Sequence, residues 1–176
     1  MKIKDYSLPD LGADGAAPAS ASARLPDSGR YAFIEAAWHA DIVQKARAAF
    51  LDEMQRHGVP ASQIDVIAVP GAFEIPLHAQ RLIATGRYQA VVACALVVDG
   101  GIYRHEFVAT AVIDALMRVQ LDTGVPVISA VLTPHHFHEH QEHRNYFQNH
   151  FAVKGIEAAR ACVGTVASLH RLGVAA

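Results

Sequence analysis

In Gln89-Ala-Val-Val-Ala-Cys-Ala-Leu-Val-Val98, every residue after the first is apolar. A strand with one wet face alternates apolar and polar residues. An unbroken run of this length fits a strand buried on both faces of a parallel sheet, with helices covering each face. Asp99-Gly100-Gly101 ends the run. Downstream, Val108, Ala111, Val112, Ala115, Leu116 and Val119 recur at helical spacing, which predicts a helix over 105–123 closed by Gly124. Val127–Leu132 reads as a strand broken by Thr133-Pro134, followed by a short polar helix over 139–148 and a last helix over 155–171. Upstream, Ile64–Val69 reads as a strand closed by Pro70-Gly71, and a helix opens near Glu74–Pro76 and ends at Gly86. The first strand is Tyr31–Ala37. Ile42, Val43, Ala46, Ala49, Phe50 and Met54 then mark a helix, with Asp41 as its cap and Gly58 and Pro60 as its stop.

Strand and helix thus alternate four times. The pattern predicts an α/β fold, with a four-stranded parallel sheet between helical layers and right-handed crossovers. Ligands of such sheets bind beyond the carboxyl ends of the strands. That rule selects Trp38-His39, Pro70–Glu74, Asp99–Glu106 and Thr133–Phe137 before any motif is considered.

The chain of 176 residues is 52% hydrophobic and 18% charged, which fits one packed domain over 30–176. Residues 1–29, rich in Ala, Ser, Pro, Gly and Asp, read as a flexible N-terminal arm. A net charge of −2 argues against nucleic acid or anionic membrane as a partner. No apolar run reaches the roughly 20 residues that span a bilayer, and no apolar segment follows the lysines of MKIKDYSLPD as in a signal peptide. Two cysteines in apolar patterns suit a reducing compartment, so a cytoplasmic location is expected.

Several segments carry residues suited to chemistry, and each has a plainer alternative. Trp38 is either a platform for a flat heterocycle or a core aromatic. In PGAFEIP (70–76), Gly71 permits close backbone approach, Phe73 and Ile75 offer apolar walls, and Glu74 sits near a helix N-terminus; an ordinary strand-to-helix turn explains the same residues. GGIYRHEF (100–107) places Gly100 and Gly101 at a helix N-terminus suited to an anion, Arg104 where it can pair with phosphate, and His105 beside Glu106 for proton transfer; a charged, capping first turn is the alternative. GxGxxG and GxxxxGK[ST] are both absent, which removes the main support for dinucleotide or nucleoside-triphosphate binding. Six of the 11 histidines fall between His135 and His150, but without HExxH, so no metal is expected and a polar helix at a pocket or subunit contact is favoured. Arg144 on that helix and Lys154 before the last one are anion-binding candidates or solvated surface residues.

Taken in order, these segments resemble the lumazine synthase family over residues 30 to about 172, with PGAFEIP the most specific piece. The resemblance implies a flavodoxin-like three-layer α/β/α sandwich, homo-oligomers built from pentamers with active sites between subunits, and neither cofactor nor metal. The implied reaction joins 5-amino-6-ribitylamino-uracil to 3,4-dihydroxy-2-butanone 4-phosphate and releases phosphate, in riboflavin biosynthesis. By the same resemblance, Trp38 stacks on the pyrimidine, and Ala72, Phe73 and Glu74 bind its ring and ribityl chain. Val97 and Val98 flank the ring, and Gly100 and Gly101 bind phosphate. Ile102 and Ser129 also stand at substrate-binding positions. Glu106 accompanies the catalytic base, Lys154 and Glu157 reach in from an adjacent subunit, and Arg144 corresponds to the phosphate-binding arginine.

The chain departs from the family pattern at one point. With Glu106, Phe107 and Ala109 aligned, the catalytic histidine position holds Arg104, and His105 falls one place on, about 100° around a helix. This arrangement is similar to that of the decamer-forming type II members, dimers of pentamers. An active synthase using Arg104, His105, Glu106 and Lys154 is the expected function. A catalytically weak lumazine- or flavin-binding paralogue is the alternative.

Overall fold

A computed structural model describes residues 29–99, 104–137 and 140–173. The expected arm (1–29) lies outside them except for Gly29, and so do Gly100, Gly101 and Ile102. Four strands, β1 (Arg30–Ala36), β2 (Ile64–Val69), β3 (Tyr88–Leu96) and β4 (Val127–Leu132), alternate with α1 (Ala40–Arg56), α2 (Ile75–Ile83), α3 (His105–Thr123) and α4 (Gln141–Arg171). The sheet order is β2-β1-β3-β4, and every pairing is parallel. All nine residues of β3 are buried, as the unbroken apolar run requires. Edge strand β2 instead alternates, with Val66 and Ala68 exposed.

Two cores flank the sheet. On one face Phe33, Val92 and Cys94 meet Ile42, Phe50 and Met54 of α1 and Phe147, Phe151 and Cys162 of α4. On the other, Ile34, Val91 and Ala93 meet Ile75 and Ala79 of α2 and Val112, Leu116 and Val119 of α3. Rings of Phe33 and Phe50 lie 4.9 Å apart, and burying a side chain of that size contributes about 1.5–3 kcal/mol. This is the expected three-layer sandwich. Burial pushes the thiols of Cys94 and Cys162 far above the ordinary range, the latter to about 12, so both pack as apolar groups.

Two readings are corrected. The separate helices expected over 139–148 and 155–171 are one 31-residue helix, and Lys154-Gly155 lies inside it. Glycine is a poor helix former, so the pair reads locally as a break. Here Gly155 is the contact point of α4 on α1: a Cβ at Gly155 would stand 2.2 Å from the Ala46 carbonyl oxygen. Nor is Asp41 the cap of α1. His39 occupies that position in a left-handed conformation (φ 54°), and Asp41 bonds to α4 instead. Among the described residues no helix is long and apolar enough to cross a membrane.

Candidate active site

Parallel register aligns the carboxyl ends of the strands, with Ala36 opposite Val69 and Leu96 opposite Leu132. Hydrogen bonds carry the pairing one residue further at both places, Ala37 N–H to the Val69 carbonyl at 2.8 Å and Val97 N–H to the Leu132 carbonyl at 2.9 Å. The chain leaves the sheet at this edge four times, and most of the expected site residues lie there.

Trp38 is 71% exposed, which settles its alternative: it is not a core aromatic. Its indole stands over Gly71. A Cβ at Gly71 would meet Trp38 Cδ1 at 3.7 Å and Glu74 Oε2 at 3.2 Å, so the glycine lets ring and carboxylate share one spot. Residues 72–74 form a short 3-10 turn leading into α2, with Pro76 in that helix's first turn, where no N–H is needed. Phe73 is 64% exposed and Ala72 half-buried. The Glu74 carbonyl accepts a bond from the His78 ring at 2.8 Å, tying the turn to α2 and leaving the carboxylate to face the indole. Val97 is buried at the end of β3, and Val98 packs against the core beneath.

At the start of α3, Glu106 lies between two bases, its oxygens 3.7 Å from Arg104 Nε and 3.7 Å from His105 Nδ1. These are ion-pair distances, too long for hydrogen bonds. A carboxylate in a first helical turn is favoured by the helix dipole. The Arg104 guanidinium lies 4.5 Å over the Phe107 ring and its side chain is 71% exposed, whereas His105 is mostly covered. Arg104 supplies a guanidinium that donates but cannot accept, whereas the His105 imidazole carries both a donor and an acceptor nitrogen when neutral.

Other expected residues lie elsewhere. Lys154 and Glu157 are ion-paired at 2.6 Å in the middle of α4, not at a helix start. Lys154 lies 13 residues into α4, about 20 Å along the axis. Arg144 donates to Asp41 at 2.7 Å, beside a 3.0 Å bond from Gln148 to the same oxygen. Ser129 is exposed on edge strand β4, in mid-sheet opposite Ala93 and away from the carboxyl ends. One chain therefore unites Trp38, Gly71, Phe73 and Glu74, and separately Arg104, His105 and Glu106. It does not bring Lys154, Glu157 or Ser129 to them. Among the described residues no three of His, Cys, Asp and Glu are grouped to hold a metal ion.

Three features escaped the sequence reading: the left-handed His39, the Asp41–Arg144 pair and the buried Glu35. Glu35 is 5% exposed, accepts a bond from Arg47 and has its second oxygen buried without a partner; burial raises its pKa against the pull of Arg47. No spacing rule marks any of them, since they depend on the turn before α1, on α4 packing against α1 and on α1 packing against β1.

Comparison with known proteins identifies the family. A family model described as 6,7-dimethyl-8-ribityllumazine synthase matches residues 28–170. A 6,7-dimethyl-8-ribityllumazine synthase of Rhodococcus erythropolis is 66% identical over 143 residues, covering 81% of this chain and 92% of that protein. Proteins named 6,7-dimethyl-8-ribityllumazine synthase 2 from Pseudomonas syringae pv. tomato and Bradyrhizobium diazoefficiens are 59% and 56% identical, covering 81% and 88% of this chain and 86% and 93% of their own lengths. With its carboxyl-edge site, parallel sheet and near full-length match, the chain belongs to the 6,7-dimethyl-8-ribityllumazine synthase family.

Proposed function

We propose that the chain, a transferase of riboflavin biosynthesis by family, condenses 5-amino-6-ribitylamino-uracil with 3,4-dihydroxy-2-butanone 4-phosphate using the residues described above. The observation that carries the assignment is the shared position of Trp38 and Glu74 at Gly71, an aromatic face beside a carboxylate at the carboxyl edge. The pyrimidine stacks on Trp38, and Glu74 accepts the ribityl hydroxyls. Ala72, Phe73, Val97, Val98 and Ile102 line the ring and chain, and Ser129, exposed in mid-β4, joins them only from an adjacent copy. Gly100, Gly101 and Arg144 hold the phosphate, with Asp41 and Gln148 orienting Arg144.

The pyrimidine amine attacks the ketone and water leaves, giving an imine. Phosphate then leaves, and the ribitylamino nitrogen closes the second ring with loss of water. Arg104 stabilises the charge on the departing phosphate. His105, with Glu106 beside it, moves the protons that the family histidine would otherwise move. Lys154 and Glu157 enter as an ion pair from an adjacent copy, in a pentamer or a dimer of pentamers. The arm (1–29) precedes one domain (30–176), and the location is cytoplasmic. The three relatives described above bear the synthase name, which favours this reading over a binding-only paralogue.

The test is steady-state kinetics of three variants. Arg104→Ala and Lys154→Ala are expected to lower kcat/KM by about 100-fold, the usual scale of a lost charge-stabilising group. Lys45→Ala, an exposed change on α1, leaves it within about twofold. Equal rates for all three contradict the residue assignment.

A further inference from the structure

His39 is the one non-glycine residue with positive φ among the described residues (φ 54°, ψ 42°). Left-handed backbone is disfavoured for side chains with a Cβ, and persists where the surroundings over-determine it, often at functional sites. Three contacts hold it here. Its carbonyl accepts the first bonds of α1, from Ile42 N–H at 2.9 Å and Val43 N–H at 3.0 Å. Its ring stands edge-on to Phe137, with centroids 5.0 Å apart. Phe137 is itself buried and packs on Phe147 of α4 at 5.4 Å.

The consequence falls on the neighbouring residue. Ala37 is still bonded to β2, and α1 begins at Ala40, so Trp38 and His39 alone complete the turn from strand to helix. Among the described residues the Trp38 indole makes no hydrogen bond; it is exposed and lies against Gly71. Its direction follows from fixed points on either side, the Ala37 hydrogen bond and the His39 backbone. We propose that His39 is a positioning residue, whose left-handed backbone and ring contact with Phe137 set the pose of Trp38 over Gly71 and thereby the binding of the pyrimidine ring. The proposal rests on Trp38 being the stacking residue, and deepens that reading by linking the stacking face to the segment after β4 and to α4.

Trp38 is the single tryptophan of the chain, so its fluorescence reports this residue alone. The experiment compares His39→Val, His39→Asn, His39→Gly and Phe137→Leu in the full-length protein, by Trp38 anisotropy and by KM for each substrate. Valine opposes the left-handed conformation, asparagine tolerates it, and glycine adopts it freely but holds nothing. His39→Val is expected to raise the pyrimidine KM about tenfold while the butanone phosphate KM stays within about twofold, and to alter Trp38 anisotropy. His39→Asn retains a pyrimidine KM within about threefold, whereas His39→Gly and Phe137→Leu lower the anisotropy. Unchanged pyrimidine KM and anisotropy in folded His39→Val overturn the proposal, as does an equal rise in both KM values, the mark of general structural damage. If His39→Val does not fold, unchanged anisotropy in both His39→Gly and Phe137→Leu overturns it. Trp38→Ala separates the two levels. No rise in its pyrimidine KM overturns the stacking reading and the proposal together. A rise there without any effect of the His39 variants overturns the proposal alone.

Discussion

Arg104, His105 and Glu106 show how much depends on one position. An arginine keeps its charge at all working pH values and cannot move protons, so the mechanism proposed above gives that task to His105. His105→Gln is expected to lower kcat by about 10²–10⁴-fold, measured by initial rates with both substrates saturating. Arg47 matters for a different reason. It is the partner of the buried Glu35 carboxylate, so Arg47→Ala leaves a charge uncompensated and is expected to cost about 2–3 kcal/mol in urea unfolding. Glu35→Gln should be far milder. Asp65 gives a pH signature at the opposite end of the sheet. Bonds from Arg30 and Tyr88 depress its pKa from 3.8 to about 2. A carboxylate depressed on folding stabilises the native state above its unfolded pKa, and that contribution is lost as pH falls through the folded value. Asp65→Asn is therefore expected to flatten the acid limb of stability between about pH 4 and pH 2, read by circular dichroism. These side chains were visible in the sequence, but their partners were not, because Glu35 with Arg47 and Asp65 with Arg30 meet only once strands and helices pack.

At the scale of elements, legibility followed the strength of the period. The apolar run at 89–98 identified the central strand, and the helical spacing of 105–123 matches α3 at both ends. Gly124 at φ 71° ends that helix as its sequence position predicts. The reading failed at α4, where local propensity competes with tertiary contact. Lys154-Gly155 looks like a helix boundary, yet Gly155 is needed where the two helices touch. Gly155→Ala is expected to destabilise the fold by about 1–3 kcal/mol despite alanine's better helix propensity, since its Cβ would enter the backbone of Ala46. Thermal unfolding checks the sign: a rise in Tm contradicts the packing account. The same continuity moves Lys154 away from a loop and places it, with Glu157, on the flank of a long helix.

The whole molecule presents more apolar surface than one chain covers. Ile113, Met117 and Leu121 lie four residues apart along the outer side of α3 and are exposed, as are Phe107 on that helix, Phe73 ahead of α2 and Leu77 within it. A patch of this kind rimmed by polar residues marks an interface. It fits the assembly into oligomers proposed above. Met117→Glu is expected to dissociate the oligomer in sedimentation and abolish turnover with it. Mixed oligomers of Arg104→Ala and Lys154→Ala subunits are expected to regain about a quarter of wild-type activity, since random mixing leaves that share of sites with both residues intact. This level was the least legible, because periodicity describes one chain, whereas the proposed site draws on several. The most direct measurement mixes the purified protein with both substrates and follows lumazine absorbance and phosphate release together. The account predicts equal amounts of both products, formed well above the uncatalysed rate. Background rates from a folded oligomer would contradict it and show that Arg104 and His105 do not replace the family histidine.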